Sequence, residues 1–236
     1  MRRLLLIILT GLLCTFLFSC ASTEEKKESH YQKALEYLEQ QDNQAAIIEL
    51  RNAIKLDATY ADARYQLGLL YLEQGEGRAA FSELVRAADL DEDNLDASLK
   101  VAEFYLLGRN TEDSRRYVEK VLAKDPNHLD TLSLLANLEL IDGNFEAAHA
   151  ALDRIGDQSQ SSIRLLNTRG RIYAAEEKWD EAESVFQQAI KIEPENINNY
   201  PPLLMVYQSQ KVTDQATKLL IELVERLPDN PQALLM

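Results

Sequence analysis

Two kinds of residue in this chain could do chemistry, and both would do it by attachment rather than by turnover. The first is Cys20, a thiol placed where an uncharged run from Leu4 to Ser19 ends, behind the basic pair Arg2-Arg3. A basic start followed by a short apolar stretch has the layout of a leader peptide. The stretch is shorter than the roughly 20 residues a membrane span takes. A thiol behind a small residue, Ser19, can serve as the nucleophile for a diacylglycerol. The alternative is an ordinary secretory leader with an incidental cysteine. Cys14 lies inside the leader and would leave with it, so no disulfide is expected within the mature chain. The second kind is a set of polar side chains, Asn137, Asn167 and Arg171. An asparagine amide both donates and accepts, which matches the two hydrogen-bonding groups of a peptide backbone.

Turnover chemistry finds little support. His30, His128 and His149 are scattered, no His-Glu-x-x-His occurs, and the mature chain lacks a cysteine pair, so neither a metal site nor a cofactor is expected. His128 falls at a turn and His149 beside Ala148, and both read as solvated surface, as does the pair Glu176-Glu177. No nucleophile elbow, phosphate-binding loop or dinucleotide motif appears, so the chain reads as no enzyme and as taking no small-molecule substrate. The formal net charge is −14, and loss of Arg2 and Arg3 with the leader makes it two units more negative. Such a chain repels a phosphate backbone and an anionic lipid surface alike, which argues against nucleic acid and leaves any membrane attachment to an acyl group that Cys20 could carry.

The elements that must position these residues are written in a period of 34, held six times without an insertion. Ala46, Ala80, Ser114, Ala148, Ala182 and Ala216 form a small column. Ala34, Gly68, Ala102, Ala136, Gly170 and Leu204 form a second. Tyr37, Tyr71, Tyr105, Glu139, Tyr173 and Tyr207 form a mostly aromatic one, and Leu50, Leu84, Val118, Leu152, Phe186 and Leu220 a large apolar one. Within each period the apolar residues recur three and four apart, as on helices, so each unit reads as two amphipathic helices and a short turn. One hairpin cannot hide so wide a stripe; stacking the next hairpin does. Small columns let helices approach, and the large columns fill the space between. Pro126, Pro194 and Pro228 share one further column and mark the end of a second helix.

This arrangement resembles the tetratricopeptide repeat family. The resemblance rests on Leu67, Gly68, Tyr71, Ala80, Leu84 and Ala87 in the second unit and on Gly170, Tyr173, Ala182, Phe186, Ala189 and Pro194 in the fifth. It implies an all-α, right-handed superhelix of six helical hairpins, with units beginning near residues 27, 61, 95, 129, 163 and 197 and a partial seventh from 231. The expected organisation is a leader over residues 1–19, a lipidated tether over 20–29 and repeats over 30–236. Three departures stand out. Pro201-Pro202 predicts that the sixth unit's first helix starts late and is about a turn short. Gly156 to Ser162 is polar and replaces the last helical turn of the fourth unit, either as a hinge or as a frayed end. Trp179 falls at a turn beside Asp180, where it is expected to pack against a neighbouring hairpin.

The family's inner face, carried onto this chain, picks out Tyr31, Leu35, Tyr65, Leu69, Leu99, Glu103, Asn137, Asn167, Arg171 and Met205. The implied partner is a protein or extended peptide lying in a concave groove that is apolar and aromatic first and polar later. The competing reading is that Leu35, Leu69 and Leu99 simply pack against adjacent helices. Only Lys100 and Arg171 offer positive charge there, in different units, so a receptor for a carboxy-terminal carboxylate is not expected.

Leu17-Phe18-Ser19-Cys20 resembles a bacterial lipobox, and Ala21 behind it resembles an outer-membrane sorting signal, which together imply the periplasmic face of the outer membrane. Residues 44–53 and 63–71 are similar to the start of long tetratricopeptide lipoproteins associated with exosortase and exopolysaccharide export. The implied role is a membrane-anchored scaffold in export or protein sorting. Two alternatives stay open: an assembly lipoprotein for a pilus secretin or for outer-membrane barrels, and the non-catalytic N-terminal part of a longer enzyme. The last residues, Pro231 to Met236, read as the first half of a seventh unit's first helix, either continuing into more repeats or docking Leu234 and Leu235 onto the sixth.

Overall fold

The structure, a computed structural model, describes residues 22–156 and 162–235. Over them the chain forms twelve α-helices and, among the described residues, no strand. In chain order the first are α1 (Thr23–Glu39) and α2 (Asn43–Leu56), which pair, α3 (Ala61–Glu73) and α4 (Gly77–Leu90), which pair, and then α5 (Leu95–Leu107) and α6 (Thr111–Lys124). Then come α7 (Leu129–Ile141) with α8 (Phe145–Asp153), α9 (Ile163–Ala175) with α10 (Trp179–Ile192), and α11 (Tyr200–Gln210) with α12 (Thr213–Arg226). The second helices start at Asn43, Gly77, Thr111, Phe145, Trp179 and Thr213, a constant 34 apart. The all-α hairpin repeat expected from the columns is therefore the fold. The leader, Cys20 and residues 157–161 lie outside the described residues.

The columns explain the pairing. Ala46, Ala80, Ala148 and Ala182 are fully buried, as are Leu50, Leu84, Val118 and Leu152. Removing one such large side chain from water contributes roughly 1.5–3 kcal/mol. The small and large columns interlock. A Cβ added to Gly68 would stand 2.7 Å from Leu84 Cγ, and one added to Gly170 would stand 2.5 Å from Phe186 Cε1. In these two hairpins the large side chain occupies the space a Cβ would need.

The turns repeat as closely as the helices. Gln41, Gly75, Arg109, Gly143, Glu177 and Lys211 are all left-handed, with φ between 60° and 76°, and they too are 34 apart. In each, the next residue's N–H reaches five residues back, as Asp42 to Tyr37 O (2.9 Å), Glu76 to Tyr71 O (2.8 Å) and Lys178 to Tyr173 O (2.9 Å). This closure satisfies carbonyls that a helix end leaves open.

The chain divides into two compact units, up to Phe104 and from Tyr105 onward. In the first unit the core gathers Ala34, Leu50, Leu67, Tyr71 and Ala80, flanked by Tyr31, Tyr37 and Tyr60. Arg64, only 4% exposed, fixes the turn after α2 by donating to Ala58 O at 2.7 and 2.9 Å, and it pairs with Glu83. The second unit holds one cluster around Leu132, Leu152, Ile155 and Ile172 and another around Phe186, Tyr200, Leu203, Tyr207 and Leu223.

Residues 23–29, expected to be a tether, are instead the opening turns of α1. Ser22 caps the helix, its hydroxyl accepting from Glu25 N–H at 3.3 Å. Lys27 is held by Glu24 (2.8 Å) and Asp57 (2.9 Å) and lies 4.5 Å from the Tyr60 ring centroid. Of the charges that suggested a solvated linker, Lys27 is buried in this network, while Glu25 and Lys26 stay exposed on the helix. The late start of the sixth first helix is observed: a 3₁₀ turn, Ile197–Asn199, precedes α11, whose first turn carries the proline pair. α8 ends early, at Asp153, as the polar stretch behind it predicted, and Ile155 plugs back into the core. Ala233 is buried against the last hairpin, while Leu234 and Leu235 are exposed rather than docked.

Candidate functional site

Of the ten residues expected to line a groove, six belong to the first unit and four to the second. In the first unit Tyr31, Leu35, Tyr65 and Leu69 are half-buried on first helices. Tyr31 lies 5.1 Å from Tyr60, ring centroid to centroid. Burial, and then the charges of Asp62 and Glu28, push the Tyr31 phenol up; burial and then Asp96 do the same for Tyr65. Both phenols stay neutral donors in ordinary solution. Leu99 is only 5% exposed, so it is a core residue and not a groove residue. Glu103 is half-buried and pairs with Lys100 at 2.8 Å, so its charge is already matched.

In the second unit Asn137 and Arg171 do come together. Arg171 Nη1 donates to Asn137 Oδ1 at 3.0 Å, while Asn137 Nδ2 donates to Ser133 O (2.9 Å) and Thr168 Oγ1 (3.3 Å). Asn137 therefore ties α9 to α7 and holds Arg171, and its amide is not a free reader of a peptide backbone. Asn167, one helical turn before Arg171, keeps its Oδ1 buried without a hydrogen-bond partner among the described residues. Such an orphaned acceptor is uncommon in a folded chain.

Arg171 and Met205 meet in a cleft of about 650 Å³, with Leu140, Ile141, Ala174, Trp179, Pro201 and Pro202 on its walls. Met205 and Ile141 are 67% and 55% exposed, so an apolar surface stands open to solvent here. Trp179 is the first residue of α10, not a turn residue, and it packs on the cluster of the following hairpin as expected. The fold builds this cleft from its irregularities. The late start of α11 brings the rigid ring pair Pro201-Pro202 to the wall, and Trp179 stands where the other second helices start with Asn43, Gly77, Thr111, Phe145 and Thr213. The groove mapping missed Trp179, Pro201 and Ile141. The signal was present: Trp179 is the chain's single tryptophan, and it sits one hairpin before a proline pair.

The histidines are engaged rather than free. His128 caps α7, its Nδ1 lying 2.9 Å from Thr131 Oγ1 and 3.4 Å from Thr131 N. His149 Nε2 meets Glu176 at 2.7 Å, and its ring lies 4.8 Å from that of Tyr173. Glu176 in turn takes Lys178 at 2.8 Å, and Lys178 first and His149 second hold its carboxyl below the ordinary range. His30 pairs with Glu49. Among the described residues, no group of His, Cys, Asp and Glu is placed to hold a metal ion, and no helix is long and apolar enough to cross a membrane.

Models of the tetratricopeptide repeat match residues 34–75, 109–172 and 163–196. No curated protein matches the chain. Among solved structures, it is similar to a tetratricopeptide repeat protein from Parabacteroides merdae, at 18% identity and a TM-score of 0.72 over 86% of this chain and 79% of that one. It is similar to PilW, described as a widely conserved type IV pilus biogenesis factor, at 17% identity and a TM-score of 0.71 over 89% of this chain and 98% of that one. PilF of Pseudomonas aeruginosa follows at 16% identity and a TM-score of 0.64, over 88% and 95%. At these identities the likeness is one of fold.

Proposed function

The chain belongs to the tetratricopeptide repeat family, and from that premise we propose that it is a non-catalytic scaffold of the bacterial cell envelope, anchored through lipid on Cys20 and holding a protein segment in the cleft beside Trp179. The observation that carries this reading is the cleft itself. The hairpins bury their large columns against one another, yet Met205 and Ile141 remain largely exposed around one tryptophan. Contiguous open apolar surface of this kind is a mark of a docking site. Support for the anchor comes from the residues alone: Arg2-Arg3, the uncharged run and Cys20 at its end. Acyl chains on one cysteine add about 0.8 kcal/mol per buried CH₂, enough in combination for durable attachment.

Within the envelope we place the protein in exopolysaccharide export or protein sorting, which residues 44–53 and 63–71 support by resemblance. A second reading is assembly of a pilus secretin. What favours it is fold likeness to PilW and PilF, which extends over nearly the whole of those chains. Mass spectrometry of the protein from membranes, with a Cys20→Ser variant, tests the anchor. Acylation at Cys20 and release of the variant into the soluble fraction are expected; an unmodified Cys20 would remove the anchor from the account. Affinity capture with and without Trp179→Ala then separates the pathways by whether export components or secretin subunits are lost.

A further inference from the structure

The cleft makes a chemical demand on whatever fills it. Among the described residues, Arg171 is the only charged side chain on its walls. Its guanidinium has one hydrogen-bond acceptor, Asn137 Oδ1 at 3.0 Å, and no ion pair among the described residues. The chain carries 39 acidic against 25 basic residues, yet among the described residues no carboxylate lines the cleft beside this arginine. While the cleft is open, water serves the remaining N–H donors. A partner that covers Trp179 and Met205 expels that water, and an arginine cannot discharge by losing its proton. Burying it unpaired costs more than one apolar side chain gains by entering the cleft. A purely apolar segment is therefore a poor occupant, and so is one that brings a lysine or arginine to this place.

Resting on the reading of the cleft as a protein-binding surface, we propose that its occupant is an internal, extended segment of a partner protein. The segment lodges an aromatic or aliphatic side chain between Trp179 and Met205 and sets an aspartate or glutamate on Arg171. Two parallel N–H···O bonds to that carboxylate satisfy the guanidinium in its preferred geometry. Asn137 is a positioning residue here: it holds one edge of the guanidinium and leaves the rest to the partner. A terminal carboxylate is not the choice, because among the described residues no second cation lies on the cleft wall to share it.

The test is a random peptide library displayed with fixed residues on both flanks, so that no free carboxy terminus is offered. It is selected on the protein, and binding is read from the fluorescence of Trp179, the single tryptophan. Enriched peptides are expected to carry an acidic residue within a few places of an aromatic or aliphatic one. Replacing that acid by its amide, or Arg171→Gln in the protein, should weaken binding about tenfold or more. Circular dichroism checks that the variant keeps its helix content. Peptides that perturb Trp179 with no acidic preference and no response to Arg171→Gln would overturn the carboxylate and leave the cleft. Binding seen only with a free terminal carboxylate would overturn the internal segment. No enrichment, or enrichment that leaves Trp179 unchanged, would overturn cleft and carboxylate together.

Discussion

Gly170 and Phe186 show at residue scale how this fold is specified. Alanine is the better helix former by about 1 kcal/mol, so Gly170→Ala should stabilise α9 on propensity alone. The added Cβ, however, meets the Phe186 ring at 2.5 Å, and a ring in a filled core cannot retreat cheaply. The variant is therefore expected to lose about 1–3 kcal/mol in urea unfolding. Adding Phe186→Leu should return much of it, since Ala34 and Ala136 already live with Leu50 and Leu152 in the sibling hairpins. A null effect of Gly170→Ala would mean that the two columns do not interlock. The left-handed turn column makes the opposite prediction. Gln41, Arg109, Glu177 and Lys211 carry a Cβ at φ 60°. Each change to glycine should raise stability by up to about 1 kcal/mol, read as a shift in urea midpoint, because the left-handed form costs a non-glycine residue about 1–2 kcal/mol. The same change at exposed Lys33, inside α1, should lower stability.

At the scale of elements, the seams between hairpins follow one plan with different chemistry. Arg51 donates to the Tyr71 hydroxyl at 2.6 Å, Arg115 pairs with Glu139 (2.5 Å) and Asp142 (2.7 Å), His149 meets Glu176 beside Tyr173, and the Tyr207 hydroxyl donates to Glu183 at 2.8 Å. Glu139 breaks the aromatic column by sequence but not by role, because Arg115 supplies the contact. His149→Ala should loosen α8 against α9 by about 1 kcal/mol, seen as faster amide exchange confined to that seam. The first turn between hairpins titrates. The Thr59 hydroxyl, then Lys27, then the Thr59 N–H lower the Asp57 carboxyl from 3.8 to about 2. A depressed folded value means the contribution is complete above the unfolded pKa and fades as pH falls through the folded one. Acid should thus weaken the α1–α2 hairpin between about pH 4 and pH 2, and Asp57→Asn should flatten that part of the titration. An unchanged acid limb in the variant would place the sensitivity elsewhere.

At the scale of the whole molecule, what was legible in the sequence was whatever repeats. The columns at Ala46, Leu50 and Gly68 dictated helix starts, turns and core, because every hairpin must solve the same packing problem. The candidate site was harder to read because it is built from exceptions. Position alone assigned Leu99 to a groove, and burial placed it in the core. Asn137 had the right chemistry, but its neighbours Ser133, Thr168 and Arg171 consumed it. Charged residues at 23–29 suggested a linker, because composition does not reveal that Lys27 finds Asp57 thirty residues on. Trp179 and Pro201 became a cleft only once a late helix start set them side by side.

The most direct test of the central claim is site-specific photo-crosslinking in cells, with the probe at Met205 in the cleft and, as the contrast, at exposed Ile221 on α12. A discrete adduct to one protein from Met205, lost on Trp179→Ala and absent from Ile221, is the predicted result. Full probe incorporation with adducts from Ile221 alone, or Met205 adducts indifferent to Trp179→Ala, would contradict it.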